Sequence, residues 1–104
     1  MIEDLDREDV KAGLASGKIV LVDVREPHEF EAGHIPGSVS MPLSRFDAAA
    51  LPQDAGRRIV FSCAAGVRSM QAAMVARSEG VAVDAHYRGG FKDWAMSGET
   101  VERG

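Results

Sequence analysis

The sequence contains very little cysteine: Cys63 is the only one among its 104 residues. A single cysteine cannot form an internal disulfide, and a metal site would need histidines and carboxylates as its other ligands. The three histidines are scattered and show no CxxC or HxxxH spacing. No P-loop or dinucleotide fingerprint is present either. We therefore expect no metal and no cofactor. Without a second cysteine, the Cys63 thiol must act alone or with a group of another kind as its partner.

Long apolar runs and an excess of positive charge are also absent. No stretch approaches the roughly 20 apolar residues of a membrane span, and the N-terminus lacks the pattern of a signal peptide. We expect a cytoplasmic protein without a membrane partner. The net charge of −4 argues against nucleic-acid binding, which uses a clustered basic face. With 45% hydrophobic residues, residues 1–104 have the composition of one globular domain.

Strand-like and helix-like segments alternate along the chain. Strands are predicted for KIVLVDV (18–24), RRIVFSC (57–63), VAVDAHY (81–87) and, more weakly, SVSMPL (38–43). The nearly unbroken apolar runs are typical of strands covered on both faces. Helices are predicted between them, at 6–17, 26–33, 44–51, 68–79 and 89–98. This alternation predicts an α/β fold, a mainly parallel central sheet flanked by helices on both faces.

Individual residues mark the ends and faces of these helices. Asp6 is a predicted N-cap, and Gly17 ends the same helix. In the long helix, the stripe that contains Met70 and Met74 is predicted to face the core. Phe91 and Trp94 are expected to be core residues of the last helix.

Cys63 stands at the end of a predicted strand and shortly before a predicted helix. Ligands of parallel sheets bind beyond the carboxyl ends of the strands. The first amides of a helix lack intrahelical partners, and the positive potential there can lower a thiol pKa from ~8.5 to ~3.5–7.5. A lone cysteine after an apolar strand is also a common packing residue. The local sequence therefore leaves two interpretations open, a packing residue and a nucleophile.

The loop CAAGVR (63–68) is suited to holding an anion. Gly66 permits a positive φ or a close backbone approach. Three loop side chains add no competing hydrogen-bond groups: Ala64, Ala65 and Val67. Anion contacts are thus expected from backbone amides and from Arg68, whose forked guanidinium suits an oxyanion such as thiosulfate.

Three segments together resemble the rhodanese-homology domain, a sulfurtransferase family: DVREPHEFEAGHIPGS (23–38), CAAGVRS (63–69) and GGFKDWAMSG (89–98). The aspartate-x-arginine after an early strand corresponds to Asp23 and Arg25. The glutamate-phenylalanine pair before GHIPG corresponds to Glu29 and Phe30. The C-terminal segment carries the glycines and tryptophan of the family: Gly89, Gly90, Trp94 and Gly98. The segments occur in the family's order over nearly the whole chain.

The resemblance implies that Cys63 accepts a sulfane sulfur from a donor such as thiosulfate and becomes a persulfide. The amides of residues 63–68 would point toward the sulfur, and cyanide, an external thiol or a protein acceptor would remove the outer sulfur. Many thiosulfate-using members place a basic or aromatic residue after the cysteine. Ala64 and Ala65 are small and neutral, which favours a persulfide relay with a protein partner.

The resemblance assigns supporting roles to residues outside the loop. Asp23 and Arg25 are expected to brace the site from behind. His34 is expected to be structural, hydrogen-bonding the loop after the second strand. His28 and His86 are expected to be exposed or locally bonded.

Two alternative functions remain. Phosphatases and arsenate reductases share the fold but separate cysteine from arginine by five residues, whereas four lie between Cys63 and Arg68. One residue adds up to ~3.5 Å of chain, so the shorter loop favours sulfur over phosphate. A non-catalytic interaction module is the other alternative; its usual sign is loss of the cysteine, which is present here.

Overall fold

A five-stranded sheet forms the centre of the protein. The computed structural model describes residues 2–52 and 56–104, and every strand pair of the sheet within these ranges is parallel. The strand order is β1-β5-β4-β2-β3. The strands are β1 (Glu3–Leu5), β2 (Ile19–Asp23), β3 (Val39–Ser40), β4 (Arg58–Ser62) and β5 (Ala85–Tyr87). The predicted α/β fold with a parallel sheet is confirmed.

In the described residues, helices α1 (Arg7–Ser16), α2 (Pro27–Ala32) and α3 (Val67–Ser78) lie between strands, and α4 (Gly90–Met96) follows β5. As predicted, α1 begins at Asp6, whose carboxylate accepts a hydrogen bond from the Asp9 amide, and ends at Gly17 in the left-handed conformation. Within the described ranges, none of the helices is both long and apolar enough to cross a membrane.

The core lies in two layers, one on each face of the sheet. Alternate residues of β4 divide between them: Ile59 and Phe61 join the layer that contains alanines of α3, and Val60 joins the layer that contains Val10 of α1 and Trp94 of α4. Because successive strand residues point to opposite faces, an unbroken apolar run supplies both layers. The two layers confirm that helices cover both faces.

The structure differs from the sequence prediction at several elements, and the predicted strand 38–43 is reduced to the two residues of β3. The predicted helix 44–51 is instead two 3-10 turns, Leu43–Arg45 and Ala48–Ala50, because Phe46 adopts an extended conformation and the Asp47 side chain caps a new turn. The predicted strand 81–87 is shortened to β5, since Val83 donates to the carbonyl of Val81 in a turn. The edge strand β1 was not predicted at all.

The methionine stripe of α3 does not face the core as predicted. Met74 is 61% exposed, whereas the buried residues of the helix are Ser69, Ala72, Ala73 and Ala76. Small side chains let the helix backbone approach the sheet closely, so Met74 turns outward, whereas Met70 is half-buried. Trp94 is buried as expected, and Phe91 is partly buried against the same layer.

Candidate active site

Cys63 lies at the centre of the carboxyl edge of the sheet. It directly follows β4, which pairs with β2 on one side and β5 on the other. Its residue exposure is 1%, so the loop that follows covers it. This central position at a strand end is where parallel sheets bind ligands.

Hydrogen-bond donors of the loop converge on the Cys63 sulfur. The Gly66 amide donates to Sγ over 3.1 Å, and Ser69 Oγ lies 3.5 Å from Sγ. Burial raises the pKa of the thiol, but hydrogen bonds from the Ser69 hydroxyl and from the amides of Ser69, Ala65 and Gly66 outweigh it. The net effect is a Cys63 pKa below its ordinary value, so the thiolate is stabilised.

Gly66 gives the loop its tight turn. Its φ is +93°, and a Cβ there would lie 2.5 Å from the carbonyl oxygen of Arg88. Any other residue would meet both the backbone strain and this clash. The predicted need for glycine at this position therefore has a geometric cause.

The start of α4 holds the loop from behind. The amides of Phe91 and Lys92 donate to the carbonyls of Cys63 and Ala64 over 2.8 and 3.0 Å. At Gly90, with φ +65°, a Cβ would lie 2.5 Å from the Cys63 oxygen. Because α4 fixes the loop carbonyls on its own side, the loop amides are left to face the sulfur. This gives the double glycine of the sequence a role at the site.

Arg68 makes a forked ion pair with Glu29 of α2. Its Nη1 lies 2.7 Å from Oε1 and its Nη2 3.0 Å from Oε2. Hydrogen bonding to Arg68 lowers the pKa of Glu29 from 4.5 to about 2. The loop cation thus has a carboxylate partner that the sequence reasoning did not identify. Two parallel bonds of this kind fix both position and orientation.

The other loop side chains are placed around the sulfur without polar contacts of their own. Ala64 and Gly66 are half-buried, and Ala65 is exposed. Val67 is 69% exposed. The contribution of the loop to the sulfur therefore comes from its backbone.

Asp23 and Arg25 form a buried pair behind the loop, at exposures of 3% and 4%. The Arg25 guanidinium donates to both carboxylate oxygens of Asp23 and, over 2.8 Å, to the carbonyl of Gly33 at the end of α2. It also lies 4.3 Å from the centre of the Phe91 ring. One side chain thereby links β2, α2 and α4, the helix whose Phe91 amide donates to the carbonyl of Cys63.

His34 links α2 to the C-terminal segment, because its side chain contacts Phe30 and its backbone pairs with Glu102. Its Nδ1 lies 2.9 Å from the carbonyl oxygen of Phe30, and the two rings stack at 3.8 Å.

His86 differs most from expectation. It is 2% exposed, and the carboxylate of Asp4 and the hydroxyl of Ser69 lie at its two ring nitrogens, each at 2.8 Å. The expectation of an exposed or locally bonded residue is wrong, because β1 places Asp4 beside His86 in the sheet and α3 places Ser69 against it, both far away in the sequence. The segment IEDL (2–5) is short and does not alternate between polar and apolar residues, so no sequence signal indicated β1.

Two open clefts adjoin the loop at Ala65. The first, about 490 Å³, is also lined by Arg7, Arg88 and Asp93. The second, about 560 Å³, is also lined by Gly66 and His86. A molecule in either cleft would contact the loop at Ala65, two residues after Cys63.

Comparison with known proteins identifies related sequences of several lengths. The chain is 36% identical to a thiosulfate:glutathione sulfurtransferase of Saccharomyces cerevisiae, over 93% of this chain and 81% of the relative. It is 42% identical to an uncharacterized protein of Synechocystis sp., over 77% of this chain and 45% of that protein. The chain thus spans less than half the length of that relative.

A solved structure from Rhodopseudomonas palustris, described as a protein of unknown function and possible tyrosine phosphatase, superposes with a TM-score of 0.82. It is 37% identical, and the match covers 97% of this chain and 85% of that one. The family model described as the Rhodanese-like domain matches residues 6–97. The chain therefore belongs to the rhodanese-like domain family.

Proposed function

We propose that the protein is a sulfurtransferase that carries a sulfane sulfur as a persulfide on Cys63. The observation that carries the proposal is the Gly66 amide, which donates to Sγ over 3.1 Å within a loop that lowers the pKa of the thiol. A thiolate is the form of cysteine that attacks a sulfur donor. The yeast relative named as a thiosulfate:glutathione sulfurtransferase supports the same chemistry.

In the first half-reaction, the Cys63 thiolate attacks the terminal sulfur of thiosulfate or of another sulfane donor. A bond forms between Sγ and that sulfur as the bond to the leaving group breaks, and for thiosulfate the leaving group is sulfite. In the second, an external thiol or cyanide takes the outer sulfur and restores the thiolate. The amides of residues 63–68 would stabilise negative charge on both sulfurs.

The donor and the acceptor are proposed from the surroundings of the loop. Ala64 and Ala65 bring no charge, and Arg68 is paired with Glu29, so the loop itself attracts a small dianion only weakly. This favours a persulfide donor or a protein thiol acceptor over efficient use of thiosulfate. A free thiol that must stay reduced also supports a cytoplasmic location.

Intact mass spectrometry tests the proposal. Wild type and Cys63→Ser are each treated with thiosulfate or with a low-molecular-weight persulfide, desalted, weighed, and weighed again after cyanide or glutathione. We expect a gain of one sulfur atom in wild type, larger with the persulfide donor and reversed by either acceptor, and no gain in Cys63→Ser. The proposal fails if wild type stays unmodified with every donor or if Cys63→Ser gains the same mass.

A phosphatase is the alternative that the R. palustris structure raises through its description. The loop with four residues between Cys63 and Arg68 opposes it, since it is one residue shorter than the phosphatase-like loop. Hydrolysis of an aryl phosphate that is lost in Cys63→Ser would favour the phosphatase; we expect none above the rate of the variant.

A further inference from the structure

A chain of hydrogen bonds runs from the Cys63 sulfur to the protein surface. Ser69 Oγ lies 3.5 Å from Sγ and 2.8 Å from Nδ1 of His86, and Nε2 of His86 lies 2.8 Å from Oδ1 of Asp4. Cys63, Ser69 and His86 are each at most 2% exposed, whereas the side chain of Asp4 is 48% exposed. The buried thiol is therefore connected to a carboxylate that reaches solvent.

Three elements hold this chain in place. His86 is in β5, directly opposite Asp4 of β1 and Phe61 of β4. Ser69 lies in the first turn of α3 and is fully buried against the sheet. The alignment of the four groups thus follows from sheet register and helix docking, which hold side chains more precisely than a loop does.

The hydrogen-bond directions are consistent when Cys63 is a thiol. Sγ–H then donates to Ser69 Oγ, the Ser69 hydroxyl donates to Nδ1 of His86, and Nε2–H of the neutral imidazole donates to the Asp4 carboxylate. Each group uses its ordinary donors and acceptors.

The same distances are equally consistent when Cys63 is a thiolate. The Ser69 hydroxyl then donates to the sulfur, and Nδ1–H of His86 donates to Ser69 Oγ. Nε2 must also carry a proton, because its partner Asp4 is a carboxylate and only accepts. A thiolate at Cys63 is therefore accompanied by an imidazolium at His86.

We infer that Cys63 passes its proton through Ser69 to His86, and that Asp4 holds the resulting imidazolium. The S–H bond breaks as an O–H bond forms on Ser69. The original Ser69 O–H breaks as Nδ1–H forms on His86, with no change of oxidation state. His86 acts on the sulfur only through Ser69, so it is a positioning residue. The inference rests on the proposed function only in taking the thiolate as the attacking form.

Other charges lie at both ends of this chain. At the inner end, Arg68 of α3, which is paired with Glu29, also attracts the Cys63 thiolate. At the outer end, Arg88 Nη1 lies 3.9 Å from Oδ2 of Asp4. On this side α3 contributes the uncharged Met70 and Gln71, which line the second cleft with His86. Phe61 of β4 is apolar. An imidazolium at His86 is thus balanced by Asp4 and by the Cys63 thiolate.

The pH profile of alkylation tests the inference, because Cys63 is the only cysteine and iodoacetamide reacts with its thiolate. The variants are His86→Gln, Ser69→Ala and Asp4→Asn, with His28→Gln on exposed α2 as the matched control. A glutamine amide can accept from Ser69 and donate to Asp4 but cannot take up a proton, so His86→Gln separates proton acceptance from packing.

We expect His86→Gln and Ser69→Ala to alkylate about tenfold more slowly than wild type near pH 6, because the pKa of Cys63 rises when its proton has no acceptor. Asp4→Asn should slow it about threefold, and His28→Gln should match wild type. Circular dichroism and thermal unfolding confirm that each variant folds. If His86→Gln does not fold, Asp4→Asn decides, since Asp4 is half-exposed.

Two results would overturn the inference. One is a folded His86→Gln, or, where that variant does not fold, an Asp4→Asn, with the wild-type profile. The other is slowing in Ser69→Ala alone, which would mean that the Ser69 hydroxyl acts without His86. Alkylation involves no sulfur transfer, so a missing persulfide would count against the proposed function and leave this test unaffected.

Discussion

Arg68 and Glu29 are joined by two parallel hydrogen bonds, of 2.7 and 3.0 Å, that tie the loop around Cys63 to α2. The residues are 39 positions apart in the sequence. The pair has two consequences: the loop is anchored, and the charge of its cation is largely neutralised before any anionic donor arrives.

The pairing predicts an acid-sensitive contribution to stability. The pKa of Glu29 is about 2 when folded against an ordinary 4.5, so the stabilisation is complete above pH 4.5 and disappears as the pH falls toward 2. Glu29→Gln should cost about 1 kcal/mol at pH 7, as a partly exposed pair.

Urea unfolding at several pH values measures this. The difference between wild type and Glu29→Gln should shrink toward zero between pH 5 and pH 2, on the scale of about 1 kcal/mol. Glu31→Gln, an exposed change on the same helix, should cost little throughout. A difference that stays constant down to pH 2 would contradict the role of the ion pair.

A second prediction concerns the contact between α4 and the loop. Gly90→Ala would place a Cβ 2.5 Å from the Cys63 oxygen and 2.6 Å from the Ala64 oxygen. Gly98→Ala is the matched control, because Gly98 has a similar φ of +78° and open space around its Cβ. The strain of Gly98→Ala should cost about 1–2 kcal/mol. Because of the clash, Gly90→Ala should lower the free energy of unfolding by about 2 kcal/mol more than Gly98→Ala does.

Thermal and urea unfolding of the two glycine variants measure the difference. Only Gly90→Ala should also slow alkylation of Cys63 at mildly acidic pH, since the loop amides would shift. Equal stability and equal reactivity of the two variants would argue against the support of the loop by α4.

The buried pair behind the site gives a third prediction. Arg25→Met should destabilise the protein by about 3–5 kcal/mol, because it leaves the Asp23 carboxylate buried without its partner. Arg58→Met removes a pair of ion contacts to Glu3 and Asp84 at half-exposed positions and should cost about 1 kcal/mol or less. Urea unfolding at neutral pH compares them, and similar costs would contradict a brace at Arg25.

Donor preference gives a fourth prediction. Ala65 is exposed and borders both clefts, so Ala65→Arg adds a cation that Glu29 does not neutralise. At an effective dielectric constant near that of water, the attraction between this cation and thiosulfate contributes about 1 kcal/mol to binding. KM for thiosulfate should therefore fall about fivefold at low salt. The uncharged Ala65→Met should leave KM unchanged, and the effect should fade with added salt. An equal effect of both variants would rule out charge as the cause.

Local features were predictable where one residue decides the backbone. Asp6 capped α1 and Gly17 ended it because the side-chain acceptor and the left-handed conformation are properties of those residues. The apolar runs around Leu21 and Val60 predicted central strands, because a strand covered on both faces is apolar along its length and this pattern is visible in the sequence. The glycine at position 66 was predictable because the turn there requires a residue that tolerates a positive φ.

Features that depend on distant partners were not predictable. The strand β1 is only three residues long and exists because β5 pairs with it. His86 is buried because groups of that strand and of α3 lie against it, and Arg68 is neutralised because α2 carries Glu29 to it. Because α3 lies close to the sheet, its sheet-facing positions hold small residues such as alanine, and Met74 faces outward. In each case the deciding contact lies across the fold.

Hydrogen bonds from the loop and from Ser69 lower the pKa of Cys63 and favour its thiolate. Thiolate absorbance near 240 nm, taken as wild type minus Cys63→Ser across the pH range, measures this directly. We predict a midpoint below the ~8.5 of a free thiol, because the hydrogen bonds to Sγ lower the pKa of Cys63. A midpoint at or above that value would mean that burial outweighs the hydrogen bonds to the sulfur and would contradict the account.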